Sequence, residues 1–250
     1  MKYNTQFYRD NAKSSRQSAR VCVPVIMEFV RPNSVVDVGC GAGSWLQVFK
    51  EYGVPEVLGI DGPWAKPSQI SEGEFLARDL AWPLNVPKKY DLVVSLETAE
   101  HLPRWAAESF VTSLTELGPI VVFSAAIPKQ GGVNHLNEQW PEYWAELFAR
   151  RGYEVVDCLR KRLWNSTDVE VCYIQNMVFF VERKAIDRYP QLSYEKTRTV
   201  GDQLAIVHPR LYIMRSEPKS VSPKLAAVAL AYTPAKILRR IVIEIRNLLK

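Results

Sequence analysis

The chain has 250 residues, 47% of them hydrophobic and 24% charged, enough for one sizeable core with a small appendage. Its formal charge of +5 is uneven: residues 183–250 carry 14 basic and 5 acidic side chains, so an electrostatic partner is expected for the tail rather than for a mildly acidic body. The polar start MKYNTQFYRD reads as neither a secretory signal nor a membrane span, and no stretch reaches the roughly 18 apolar residues of a span, so a cytoplasmic protein is expected.

Residues 1–33 precede the first strand and read as a helical flank or lid. Val35 to Val38, Val57 to Ile60, Leu92 to Leu96 and Ile120 to Phe123 are short apolar runs, the pattern of strands buried on both faces of a parallel sheet. Trp105, Phe110, Val111 and Leu114, behind Pro103, mark a helix. Trp140, Tyr143, Trp144, Leu147 and Phe148 mark another at helical spacing, with Pro141 in its first turn and Gly152 past its end. Later strands are expected at Tyr153 to Asp157 and over the long run Val171 to Val181. No helix is legible between these two, so they are expected to pair antiparallel at the sheet edge. Alternating strands and helices over 34–182 predict a doubly wound, mostly parallel sheet with ligands at the carboxyl ends of its strands.

Beyond residue 183 the chain reads as irregular up to an amphipathic helix at 234–249. Thr233 is its N-cap and Pro234 its first residue; Ile237, Leu238, Ile241, Val242, Ile245, Leu248 and Leu249 share one face, and Lys236, Arg239, Arg240, Arg246 and Lys250 the other. Such a helix packs on its own domain, forms a dimer or lies on an anionic bilayer, and the preceding LAAVALAY, Leu225 to Tyr232, favours contact with the inner face of a membrane. Basic residues without interleaved aromatics give no ground for a nucleic-acid partner. Cys22, Cys40, Cys158 and Cys172 lack both paired spacing and histidine neighbours, so neither zinc nor disulfides are expected.

The most informative stretch is VVDVGCGAGSW, Val35 to Trp45, where a buried strand runs through Asp37 into Gly39, Gly41 and Gly43 before a helix. Glycines permit a tight turn and a close backbone approach to a ligand. The spacing is not that of a dinucleotide loop, which seats a pyrophosphate on the helix N-terminus. An acidic residue beside the loop suits a nucleoside that carries positive charge instead of phosphate, as S-adenosylmethionine does. Asp61 ends the next strand, where a carboxylate can accept from both ribose hydroxyls. Asp79 follows the third strand, where it can accept from an adenine amino group while the Leu80 N–H donates to the ring.

Asp37 to Gly43, Asp61, Asp79 and YDLVVSLETAEHL, Tyr90 to Leu102, resemble the four ordered motifs of class I S-adenosylmethionine-dependent methyltransferases; the last is similar to the matching segment of the ubiquinone-biosynthesis O-methyltransferases. Phe123 to Trp144 resembles a bacterial subgroup found with surface-polysaccharide enzymes. The resemblance implies a Rossmann-like fold with a seven-stranded sheet, S-adenosyl-L-methionine as cofactor, and Gly39, Gly41, Asp61, Asp79, Leu80, Leu96 and Glu97 lining it. The motif of amino-methylating DNA enzymes is absent, which argues against a nucleobase acceptor.

Methyl transfer is an in-line displacement for which the protein supplies alignment and, for an unactivated hydroxyl, a base. His101, just past the fourth strand, and His135, in the glycine-flanked loop after the fifth, are the candidates; His208 is read as uninvolved. Glu97 is expected at the cofactor's amino-acid end and Glu100 at a helix N-terminus as a neutralising charge. A metal is not expected: His135, Asn137 and Glu138 are the donors at hand, and hard Mg²⁺ prefers oxygens. The sequence thus predicts an O-methyltransferase acting on a sugar hydroxyl of a bacterial glycan or a related small molecule. The alternatives are a quinone or phenol acceptor and a catalytically silent cofactor-binding module.

Overall fold

The computed structural model describes residues 5–65, 67–216, 241–243 and 245–246. The chain divides into two compact units, 1–212 and 213–250. In the first, seven strands form one sheet: β1 Ser34–Val38, β2 Glu56–Asp61, β3 Phe75–Ala77, β4 Leu92–Leu96, β5 Ile120–Ser124, β6 Tyr153–Val156 and β7 Val178–Glu182, in the order 3-2-1-4-5-7-6. The first five strands run parallel, and β7 lies antiparallel to both β5 and β6. This is the doubly wound, mostly parallel sheet expected.

The apolar runs make strands because their alternate residues feed two separate cores. Val35, Val57, Leu92, Val94, Ile120, Val122, Phe179 and Val181 join the cluster under α1 (Thr5–Phe29) and α2 (Ser44–Glu51). Val36, Val38, Ile60, Val93, Val121, Phe123 and Phe180 join the cluster under α3 (Ala107–Leu117) and α4 (Pro141–Arg150). A strand buried on both faces leaves no polar alternation to read.

In the second cluster Phe148 of α4 stacks on Phe180 of β7 at 3.8 Å between centroids, and Phe123 meets Trp144, Phe148 and Phe180 at 5.3, 5.5 and 5.8 Å. Phe148→Ala is expected to lower stability by about 3–5 kcal/mol, because the fully buried ring leaves a cavity that its stacked neighbour cannot fill. A shift of the urea midpoint to lower concentration checks this.

The long strand expected over Val171 to Val181 is corrected. Val171–Asn176 is helix α6, behind the short helix α5 (Leu159–Leu163), and only Val178–Glu182 is strand. A short apolar run suits either period, and here the partners decide. Tyr173, Ile174 and Met177 enter the first core, while Gln175 and Asn176 are buried amides that need partners. Gln175 donates to the Ile206 carbonyl at 2.7 Å and accepts from the His208 N–H at 2.6 Å. The expected antiparallel pairing of the last two strands holds, with β7 lying inside the sheet and β6 at its edge. Residues past 183, read as irregular, carry α7 (Pro190–Thr197) and α8 (Pro209–Ser216). His208 is buried and its Nε2 meets the Trp164 carbonyl at 2.9 Å, a structural contact.

All four cysteines are free thiols. Of the second unit, 213–216, 241–243 and 245–246 are helical; the rest of the 234–249 helix and the 225–232 stretch lie outside the described residues. Among the described residues no helix is long and apolar enough to cross a membrane.

Candidate functional site

The parallel strands aim their carboxyl ends at one edge, and the sheet order sets the residues there side by side. Asp79 follows β3, Asp61 ends β2, the glycine loop follows β1, Glu97 to His101 follow β4, and the loop holding His135 follows β5. Strand order reverses at β1 and β4, the crevice where open sheets of this kind take ligands.

At the loop, Gly39, Gly41 and Gly43 have φ of 92°, 53° and 81°. A Cβ on Gly39 would come within 2.1 Å of Thr98 Oγ1, so this glycine is required both by its φ and by the close pass of the chain after β4. A Cβ on Gly41 would meet nothing within 4 Å, so its backbone faces open space. Asp61 braces the turn: Oδ2 accepts from the Gly41 N–H at 2.7 Å and Oδ1 from the Gly62 N–H at 2.6 Å. Asp37 is buried, and burial together with the charge of Asp61 pushes its carboxyl up to about 8. Burial also raises Asp61, against the pull of those two N–H groups.

Asp79 is exposed, with Oδ1 accepting from the Ala81 N–H at 3.0 Å; Leu80 and Leu96 are buried. The edge therefore holds a buried acid, Asp37, and a half-buried one, Asp61, beside bare backbone, a site that favours a cation and fits a sulfonium nucleoside.

The ends of β4 and β5 are built differently. Among the described residues, Glu97, Lys129 and Asn134 are the non-glycine residues with positive φ, at 49°, 70° and 60°, and all three sit in these two connections. Such strain persists where surrounding contacts over-determine it, commonly at functional sites. Glu97 is expected at the cofactor's amino-acid end; its carboxylate is held by Gln130 Nε2 at 2.8 Å and Asn176 Nδ2 at 3.0 Å, and Asn176 also donates to Gln130 Oε1 at 2.9 Å. Burial raises the Glu97 carboxyl, opposed by Asn176, Ser124 and Gln130.

The loop after β5 folds back onto this segment: the Leu136 and Asn137 N–H groups donate to the Glu100 carbonyl at 2.7 and 3.0 Å. That contact brings His135 onto His101, edge to face with centroids 4.9 Å apart. His135 Nδ1 lies 2.9 Å from Glu138 Oε1. Glu138 also accepts from the Lys129 and Gly131 N–H groups at 2.7 and 2.8 Å, and although burial pushes its carboxyl up, His135 and these donors hold it below the usual range. With Nδ1–H directed at Glu138, the lone pair of His135 is on Nε2. His101 uses one ring nitrogen on the Asn134 backbone, while its Nδ1 is buried without a partner; burial and then the charge of His135 lower its pKa.

Glu100 departs most from expectation. Read as a charge at a helix N-terminus, it is completely buried, and the turn it occupies, Ala99–His101, is only three residues long. Neither carboxylate oxygen meets a hydrogen-bond partner, and burial followed by the charge of Glu97 raises its carboxyl well above the usual range. Gln130 and Asn176 were not singled out from the sequence, and Glu100 was named only in another role. The spacing Glu97-x-x-Glu100-His101 was visible, but nothing in it told which carboxylate would be buried. A separate cleft of about 400 Å³, lined by Arg16, Gln47, Lys50, Ser68, Gln69, Ile70 and Ser71, includes none of the expected site residues.

A sequence profile described as a methyltransferase domain matches residues 14–158. No curated protein matches the sequence. Among solved structures the chain is similar to the sugar N-methyltransferase KedS8 from Streptoalloteichus sp ATCC 53650, at 15% identity and a TM-score of 0.51 over 71% of this chain and 92% of that one. It is also similar to an O-methyltransferase family protein from Burkholderia thailandensis, at 12% identity and a TM-score of 0.50 over 72% and 60% of the two chains. A third, magnesium protoporphyrin IX methyltransferase from Synechocystis PCC 6803 with bound SAH, has 18% identity and a TM-score of 0.49 over 73% and 89%. At these identities the likeness is one of fold.

Proposed function

Since the chain belongs to the methyltransferase-domain family and is an S-adenosylmethionine-dependent methyltransferase, we propose that it O-methylates a sugar hydroxyl of a bacterial glycan or a related small molecule. The observation that carries this reading is the His101 and His135 pair, set beside Glu138, Gln130 and Asn137 at the end of the ligand edge away from Asp61 and Asp79. An unactivated hydroxyl needs both polar anchoring and a proton acceptor, and this end supplies both.

When bound, S-adenosylmethionine supplies a methyl carbon on a positively charged sulfur. Asp61, Asp37 and the backbone of Gly39 and Gly41 favour and seat that cation, with Asp79 and Leu80 toward its adenine. Glu138 fixes the His135 ring so that Nε2 can take the proton of the acceptor hydroxyl.

A cation seated at this edge favours ionised Asp37, whose carboxyl stands at about 8 in the free protein. Cofactor binding near neutral pH is therefore expected to release about one proton, and affinity to rise with pH until roughly pH 8. Calorimetry in buffers of different ionisation enthalpy reads the proton directly. Without cofactor the sign is opposite for stability. Folded Asp37 keeps a proton that the unfolded chain loses above the ordinary carboxylate range. Its contribution is then complete at acid pH and is lost as pH rises toward 8.

The acceptor is tested by following S-adenosylhomocysteine release with purified protein over a panel of glycan hydroxyls, amino sugars and catechols. Turnover with hydroxy sugars supports the reading, and turnover confined to amino sugars or catechols overturns it.

A further inference from the structure

Deepening that reading, and resting on it for the acceptor, we propose that Glu100, His101 and His135 hold a divalent transition-metal ion, which binds the acceptor hydroxyl and makes it acidic. The ligand atoms of these three side chains all lie within 4.8 Å of one another. Three such atoms around one ion at ordinary bond lengths of about 2.0–2.2 Å would stand at that separation or less.

The cluster also contains buried polar atoms with nothing to satisfy them. Both Glu100 oxygens and His101 Nδ1 are buried without hydrogen-bond partners, next to a loop in which both oxygens of Glu138 are bonded. Buried polar groups are nearly always satisfied, and a completely buried carboxyl group either keeps its proton or meets a cation. Glu97, the other carboxylate here, already accepts from Gln130 at one oxygen and from Asn176 at the other.

The surroundings supply what metal-binding imidazoles need. Glu138 holds His135 Nδ1, fixing the tautomer with its lone pair on Nε2, and the Asn134 backbone does the same for His101 while leaving Nδ1 for a ligand bond. Two imidazoles and one carboxylate form a mixed nitrogen and oxygen set that suits Mn²⁺, Co²⁺ or Zn²⁺ better than Mg²⁺ or Ca²⁺. This donor set differs from the one weighed on the sequence, because Glu138 is a support for His135 and not itself a ligand.

Three protein ligands leave positions open for the substrate. A hydroxyl bound there loses its proton to water. Its oxygen forms the new bond to the methyl carbon, and the sulfur–carbon bond breaks with its electron pair going to sulfur, giving the methyl ether and neutral S-adenosylhomocysteine. With the ion in place both imidazoles are ligands, and the metal's effect on the hydroxyl replaces proton abstraction by His135.

The test uses full-length protein stripped with EDTA. Mn²⁺ binding is followed by loss of the free-ion electron paramagnetic resonance signal, and Zn²⁺ binding by competition with a chromophoric chelator. One ion per chain is expected, with at least about a hundredfold weaker binding in Glu100→Gln and His135→Ala and S-adenosylmethionine affinity within about twofold of wild type in both. Glu100→Gln keeps the shape and removes the carboxylate that would meet the ion, so its metal-free melting temperature should stay close to wild type, whereas added metal should raise only the wild-type value. Stripping should abolish turnover of an accepted sugar and Mn²⁺, Co²⁺ or Zn²⁺ should restore it. Wild-type protein that binds no probe at millimolar concentration, or variants that bind as tightly as wild type, overturns the metal site. Because ion binding is read without an acceptor, a metal-binding protein inactive on hydroxy sugars refutes the acceptor reading alone.

Discussion

Gly39→Ala is expected to cut S-adenosylmethionine affinity by at least about a hundredfold and to lower stability by about 2–4 kcal/mol. Two independent demands meet at this residue. Its φ of 92° lies where side chains are rarely found, and its Cβ would stand 2.1 Å from Thr98 Oγ1, 2.5 Å from Thr98 Cγ2 and 2.8 Å from Thr98 Cβ. Relief needs the turn after β1 or the segment after β4 to move. The first is tied by the Gly39 N–H to the Ile60 carbonyl at 2.7 Å, and the second by the Glu97 N–H to the Ser124 carbonyl at 3.0 Å. Either movement disturbs the backbone that faces the cofactor. Thr98→Ala in the same chain removes the two nearest atoms but neither the third nor the φ strain, so the double variant should recover part of the affinity. Wild-type affinity in the single variant, by calorimetry, would remove this loop from the cofactor site.

The glycine loop and the strand ends were legible because their signals are local. A strand buried on both faces writes itself as an uninterrupted apolar run, and a turn that needs positive φ writes itself as glycine. Helix α6 was not legible, since VCYIQNMVFFV offers an apolar run to either period. What fixes it as helical is the pairing of Gln175 with residues 206 and 208 and of Asn176 with Glu97, across 31, 33 and 79 positions of chain. The same holds for Glu100. Its burial depends on the loop after β5 folding back so that Leu136 and Asn137 bond its carbonyl, and no spacing within ETAEHL anticipates that. The proposed cofactor half of the site is thus a property of single strand ends. The acceptor half arises from contacts between distant segments, which is why Gln130 and Asn176 were missed.

His135→Ala is expected to lower kcat by about 10²–10⁴ with cofactor affinity nearly unchanged. The separation follows from position, since His135 lies in the connection after β5, while Asp37, Asp61 and Asp79, the carboxylates proposed for the nucleoside, belong to β1, β2 and the end of β3. Glu138→Gln should cost less, about 10–100-fold, because Glu138 acts through the ring. It holds His135 Nδ1 at 2.9 Å and organises the loop through the Lys129 and Gly131 N–H groups, bonds that a glutamine can only partly replace. His101→Ala combined with His135→Ala tests whether the two rings form one device. If they share a single ion or a single proton path, the double variant is scarcely slower than the worse of the two single ones. Two rings with separate tasks would instead multiply their losses. Single-turnover rates at saturating cofactor distinguish these outcomes, and a multiplicative loss would assign His135 and His101 to different steps.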